Sequence, residues 1–209
     1  MTDSPPPVVN HHADHPGFAG VTGLVAGLGM LVMGRGYARL AVGLSSVSDS
    51  DRVVDIGCGP GNAVRAAARR GADAVGVDPA PVMLRLARIV TRGHSGIAWS
   101  QGGAEALPLA DGWATVAWSL KTVHHWRDVA AGLAEIRRVL GSGGRLLVME
   151  RRVQPGATGL ASHGWTEEQA GSFAARCRAV GFADVRLDEH RRGRGTVWVV
   201  QAIRSAEAH

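Results

Sequence analysis

The stretch "VVDIGCGPGNAV", residues 53–64, constrains the fold of this chain more than any other. A run of branched apolar residues ends on Asp55 and passes straight into Gly57, Gly59 and Gly61. Such a run reads as a buried strand, and "NAVRAAARRG" reads as a helix closed by Gly71. Strand, glycine-rich turn and helix open an α/β unit whose backbone must come close to a ligand, because glycine has no Cβ in the way.

The alternation continues. "DAVGVD", "GIAWS", "ATVAWSL" and "RLLVMER" read as further strands. "PAPVMLRLARIVTRG" places Val82, Leu86, Ile89 and Val90 on one helical face, and "DVAAGLAEIRRVLGSGG" places Val129, Leu133, Ile136 and Leu140 on another. Thr166 and Gln169 make a capping box for a helix with Phe173, Cys177 and Val180 inward. "ADVRLDEH" and "GTVWVVQAI" close the chain as an antiparallel pair. The pattern predicts an α/β, doubly wound, mainly parallel seven-stranded sheet of Rossmann-like type, with the last strands antiparallel. Residues 51–209 read as one domain, 18–50 as a helical cap segment and 1–17 as a flexible tail rich in proline and histidine.

The turn's spacing decides among ligands. A dinucleotide loop needs G-x-G-x-x-G, and the sixth position from Gly57 is Asn62. A phosphate loop needs a lysine, and Lys121 is the chain's one lysine. Asp55 ahead of the turn disfavours a polyphosphate and favours a cationic group. Asp78, at the end of the second strand, stands where an acid accepts hydrogen bonds from ribose hydroxyls. A ligand with a ribose, an amino group and no phosphate points to S-adenosylmethionine.

The blocks "VVDIGCGPG", "VGVDPAPVML", "GGAEALPLADG" and "EIRRVLGSGGRLLVME" resemble, in order and spacing, the class I S-adenosylmethionine-dependent methyltransferases (EC 2.1.1 class). The resemblance covers about residues 51–203 and is nearest to the menaquinone and ubiquinone C-methyltransferase subgroup. It implies a cofactor site of Asp55, Gly57, Cys58, Gly59, Gly61, Asp78, Pro79, Gly103, Ala104 and Ser119. In it the glycines pass under the methionine portion and Asp55 lies near the amino group. Asp78 takes the ribose, Pro79 lies against adenine, Gly103 and Ala104 border the adenine edge, and Ser119 contacts the methionine side. Two departures stand out: the family often has aspartate where this chain has Gly103, and an acid near Thr115. Glu105 or backbone is a candidate substitute for the first.

A methyl transfer to an oxygen of high pKa benefits from a general base. "SLKTVHHWRD" follows the fourth strand, and His124 or His125 is the candidate, with scaffold and turn-capping roles equally open to the pair. The chain lacks an N/D-P-P-Y/F/W motif after the fourth strand, and neither Cys58 nor Cys177 is placed for base C5 chemistry. Nucleic acid is therefore disfavoured, and a small or lipophilic acceptor is expected, O or C rather than a nucleobase nitrogen. An RNA methyltransferase, or a membrane-peripheral or interaction protein that retains the fold, stays open as an alternative.

The segment "FAGVTGLVAGLGMLVMGRGYARLAVGL" is free of charge as far as Arg35 and carries a GxxxG at Gly23 and Gly27. It reads as one or two short helices over the cofactor mouth, and residues 18–34 are the candidate for peripheral membrane contact. Net charge is +5, and the arginines are scattered apart from Arg191, Arg192 and Arg194, which read as a solvated hairpin. Two cysteines without a CxxC, and no secretory signal, suit the cytoplasm. "HHADH", lacking cysteine or a helical frame, carries no metal reading by itself, so none is expected.

Overall fold

A computed structural model describes residues 8–13, 20–192 and 195–206. Seven strands form one sheet in the order β3-β2-β1-β4-β5-β7-β6. They are β1 (Arg52–Ile56), β2 (Asp73–Asp78), β3 (Ile97–Gln101), β4 (Ala114–Leu120), β5 (Leu140–Arg151), β6 (Phe182–Arg192) and β7 (Gly195–Arg204). All neighbours pair in parallel except β7, which lies antiparallel between β5 and β6. The doubly wound sheet and its closing antiparallel pair are as the alternation predicts. Strand order reverses between β1 and β4, so the ligand crevice of such a sheet falls beyond the carboxyl ends of these two strands.

Helices cover both faces. Helices α5 (Val129–Val139) and α6 (Glu167–Ala179) bury Leu133, Ile136 and Phe173 on one side. On the other, α2 (Arg35–Leu44), α3 (Asn62–Ala68) and α4 (Pro81–Val90) bury Ala38, Ala41, Val64 and Leu84. Each large apolar side chain so buried contributes about 1.5–3 kcal/mol. One helix cap is as the sequence reading has it, and a second is supplied by Asp128. Asp128 accepts from the amides of Ala130 and Ala131 at 2.8 and 3.0 Å, and Thr166 and Gln169 close their capping box.

Four readings need correction. The buried face of α4 is Met83, Leu84, Leu86 and Ala87, while Ile89 is 70% exposed. Met83 and Leu86 are drawn against Gly27 of α1 (Gly20–Met33), which turns the helix away from the periodicity of its branched residues. Strand β5 begins at Leu140 because the glycines after α5 join β4 through a register shift at Ala114 to Val116. Residues 8–13, assigned to a flexible tail, are seated on the domain. Val9 is 1% exposed, its carbonyl accepts from Trp165 Nε1 at 2.8 Å, and Asn10 Nδ2 donates to Trp126 O at 2.9 Å.

The apolar segment forms two helices, α1 and α2. Gly23 and Gly27 are buried, and α1 packs on α4 through this small-residue face. Its far side exposes Leu24, Val25, Leu28 and Val32. Among the described residues, no helix is long and apolar enough to cross a membrane. Arg192 is not a solvated hairpin residue: its guanidinium stacks 3.9 Å from the centroid of the Tyr37 ring. Arg194 lies outside the described residues.

Candidate functional site

Gly57, Gly59 and Gly61 all hold positive φ, at 72°, 53° and 79°, a region closed to most side chains. Their neighbours differ. The space a Gly57 Cβ would need is filled by the Thr122 methyl, and that of Gly61 by the Trp99 indole. Gly59 alone of the three faces only a distant neighbour, the sulfur of Met30 at 3.7 Å. Gly59 thus has room beside its backbone, while the other two make room for packing.

Two buried carboxylates stand beside this turn. Asp55 is 2% exposed, and among the described residues its Oδ1 has no hydrogen-bond partner. Burial first, then the nearby charge of Asp78, push its carboxyl up to about 7. Asp78 is 7% exposed and accepts from Gly59 N and Ala80 N, both at 2.8 Å. Its carboxyl is also raised by burial, against the pull of those two amides. Asp78 therefore ties the tip of the turn to the end of β2. An unpaired carboxylate in a dry site is costly unless a cation or donor meets it.

The loop after β4 lies alongside. Thr122 donates to Ile56 O at 3.0 Å and shares a 2.7 Å hydrogen bond with Ser119 Oγ, so the end of β1 and the end of β4 are tied by one hydroxyl. Val123–His125 then form a 3-10 turn. His124 is 2% exposed, with Nδ1 2.9 Å from Oε2 of the fully buried Glu150 on β5. His125 is half-buried, and its imidazole is pushed down to about 4, chiefly by burial and then by His124. Lys121, depressed by burial, sits with its ammonium 4.4 Å from the Tyr37 ring. His163, from the segment between β5 and α6, lies within ring-contact distance of both histidines.

The family model that matches this chain is the methyltransferase domain, over residues 54–148. The fold is the class I methyltransferase fold. A SAM-dependent methyltransferase from Aquifex aeolicus superposes with TM-score 0.67 at 14% identity, over 79% of this chain and 88% of that one. A chain of the Haloferax volcanii complex that contains the Trm112 methyltransferase activator superposes with TM-score 0.76 at 20% identity, over 87% and 95%. In sequence, the demethylmenaquinone methyltransferase of Tropheryma whipplei is 31% identical over 114 residues, 54% of this chain and 47% of that protein. Matches to the first curated relatives span only 24%, 34% and 47% of those proteins' lengths.

S-adenosylmethionine is the cofactor that goes with this methyltransferase fold, and the residues present fit it. The orphaned Oδ1 of Asp55 and the bare backbone at Gly59 suit a ligand with a cationic end. Pro79 is exposed next to Asp78 at the strand ends. At Gly103, Glu105 Oε2 lies 2.8 Å from where a Cβ would stand, so a carboxylate reaches the space the family's aspartate would use. That same Glu105 accepts from the amide of Arg127 at 2.7 Å.

Other expected contacts are turned elsewhere. The Ala104 methyl is buried in the core toward Gly132 of α5. Ser119 is fully buried with its hydroxyl on Thr122. Cys58 is buried, its thiol raised well up by burial and by Asp55 and Asp78. Thr115 takes part in a separate network with Asp51, at 2.7 Å, at the far end of β4. Thr122, Trp99, Glu150 and His163 were missed. Only Glu150 left a signal, as an acid ending an apolar strand.

Proposed function

We propose that this chain is an S-adenosylmethionine-dependent methyltransferase acting on a small or lipophilic acceptor. The observation that carries the reading is the pair of buried carboxylates, one with an unpartnered oxygen, at a glycine turn on the sheet's switch point. When bound, S-adenosylmethionine supplies an electrophilic methyl group on a sulfonium, and transfer is an in-line displacement that depends on alignment. Asp55 would hold the cofactor's ammonium and Asp78 its ribose, while Gly59 would let the backbone approach. On the acceptor side, the contact between His124 Nδ1 and Glu150 Oε2 orients the imidazole, so that Nε2 is the base for a hydroxyl acceptor. The demethylmenaquinone methyltransferase relative supports a lipophilic acceptor and the quinone C-methyltransferase subgroup.

Titration calorimetry with S-adenosylhomocysteine and with NAD tests the cofactor. Binding of the first at micromolar concentration and not of the second is expected, and NAD binding alone would remove the reading. Labelled S-adenosylmethionine incubated with fractionated cell extract then tests turnover, since methyl label entering no fraction leaves only a binding protein.

The exposed apolar face of α1 favours a second reading, peripheral contact with a membrane surface. Leu24, Val25, Leu28 and Val32 lie within about a quarter-turn of one another on that helix. Replacing Leu28 and Val32 together by glutamate should abolish liposome co-sedimentation on this reading and leave S-adenosylhomocysteine affinity unchanged. If the wild-type protein does not sediment with liposomes, the second reading fails.

A further inference from the structure

Among the described residues, five histidines meet beside the loop that follows β4. Two come from the seated N-terminal segment (His11 and His12), two from the loop itself (His124 and His125), and one from the segment before α6 (His163). Ring centroids are 4.1 Å apart for His124 and His125 and 4.3 Å for His12 and His163. Three of them, His124, His125 and His163, each bring one ring nitrogen within 4.8 Å of the others. Nδ1 of each ring also faces an oxygen. Nδ1 of His124 faces Glu150 Oε2 at 2.9 Å, Nδ1 of His125 faces the His12 carbonyl at 3.4 Å, and Nδ1 of His163 faces the Gly159 carbonyl at 3.3 Å. Carboxylate or carbonyl on one nitrogen and metal on the other is how ligating imidazoles are oriented.

From this juxtaposition we infer that His124, His125 and His163 hold a divalent transition-metal ion through their Nε2 atoms. Three imidazoles suit zinc, cobalt or nickel rather than magnesium or calcium, which take oxygen. A tetrahedral ion about 2.0–2.1 Å from each nitrogen sets the nitrogens roughly 3.3 Å apart. Rotation of the two half-buried rings, His125 and His163, closes the remaining distance. Three protein ligands leave a fourth position for an oxygen, the arrangement of catalytic rather than structural zinc.

The surrounding chain is built to hold the ring-bearing segments together. Arg151, the residue after Glu150, donates to the carbonyls of His163, Leu160 and Ala161 at 3.0, 2.6 and 2.8 Å. The His12 amide donates to His124 O at 2.9 Å, and Nε2 of His11 and of His12 pair with Ser162. Consecutive residues of β5 thus fix one ligand directly and the loop of another. The unpartnered Oε1 of Glu150 belongs to the same buried network. The ion's role in catalysis rests on the proposed methyl transfer: at its open position it would bind an acceptor oxygen and lower that oxygen's pKa, so the imidazoles serve as ligands where they otherwise serve as base.

The test uses the full-length chain without a polyhistidine tag, dialysed free of metal, and cobalt(II) as the probe. Wild type should take up one equivalent with the visible absorption of a tetrahedral site and release it to zinc. Glu150→Gln should weaken cobalt affinity about 10–100-fold, as loss of an outer-sphere partner does. His163→Ala should abolish the tetrahedral spectrum. His163→Cys should restore it with an added sulfur-to-cobalt charge-transfer band, a signature that a merely structural role for the residue cannot produce. No stoichiometric uptake by wild type, unchanged uptake by His163→Ala, or a His163→Cys spectrum without the sulfur band would each overturn the inference. S-adenosylhomocysteine titrated into the same samples separates the two claims. Cofactor binding without cobalt uptake removes the ion alone, and cobalt uptake without cofactor binding removes the methyltransferase reading alone.

Discussion

Asp55 is the residue whose substitution should move stability and ligand affinity in opposite directions. Its carboxyl is raised from 3.8 to about 7, first by burial and then by the charge of Asp78. The sign follows from proton counts. Below about pH 4 the carboxyl is protonated in both folded and unfolded chains. Between about 4 and 7 the folded chain keeps a proton that the unfolded chain has released, so stability falls as pH rises. Above about 7 the full penalty is present, roughly 4 kcal/mol at 1.36 kcal/mol for each tenfold change in the proton equilibrium.

Asp55→Asn keeps the shape and removes the charge. At pH 8 the ligand-free variant should gain up to about 4 kcal/mol, which for a chain of this size raises Tm by about 2–4 °C per kcal/mol. At pH 4 the gain should vanish. Affinity for S-adenosylhomocysteine should fall by about 1.5–3 kcal/mol, the range for a hydrogen bond to a charged group. Scanning calorimetry of both proteins from pH 4 to 8, with and without the ligand, reads all three. A variant that melts below wild type at pH 8, or a difference that is the same at pH 4 and 8, would refute the argument that an uncompensated carboxylate sits at this turn.

Other substitutions separate packing from binding. Asp78→Ala should weaken S-adenosylhomocysteine binding by about 1.5–3 kcal/mol in calorimetry and lower chemical-denaturation stability by about 1–3 kcal/mol, because the amides of Gly59 and Ala80 lose their acceptor. Gly61→Ala sets a methyl against the Trp99 indole at φ 79° and should cost about 1–3 kcal/mol of stability by the same measurement. Gly59→Ala, whose Cβ would meet only the Met30 sulfur at ordinary contact distance, should lose only about 1 kcal/mol of stability yet bind the ligand poorly. With a hydroxyl acceptor, His124→Ala should lower turnover about 10²–10⁴-fold and leave cofactor affinity unchanged, read by a labelled-methyl assay.

What the sequence displayed and what it hid divide along a physical line. Strands β2 and β4 were legible to the residue, because apolar runs bounded by turn residues leave little choice of register. The glycine turn and its two acids were legible because their spacing is local. Helix α4 misled because its branched residues define one face, while Met83 and the small Ala87 define the face the neighbouring elements accept. The start of β5 misled because glycines that normally stop a helix were recruited into pairing with β4. The histidine cluster was illegible because its members come from three segments, spread between positions 11 and 163, and no period or motif joins them. "HHADH" gains meaning only once Val9 and Asn10 dock the segment against Trp165 and Trp126.

The two sides of the site are coupled at short range. Ile56 and Ser119 are partners in register on adjacent strands, so the turn after β1 and the loop after β4 leave the sheet about 4.8 Å apart. Thr122 spans that gap. Its hydroxyl pairs with Ile56 O and Ser119 Oγ, and its methyl fills the space that a side chain at Gly57 would occupy. Two residues later comes His124, held by Glu150. A displacement of the histidine loop by even an ångström therefore presses on, or withdraws from, the backbone of the glycine turn, since packed interiors do not absorb such shifts. The glycine at 57 serves the packing of the histidine loop, so its spacing from Asp55 is fixed by the Thr122 side chain that lies against it.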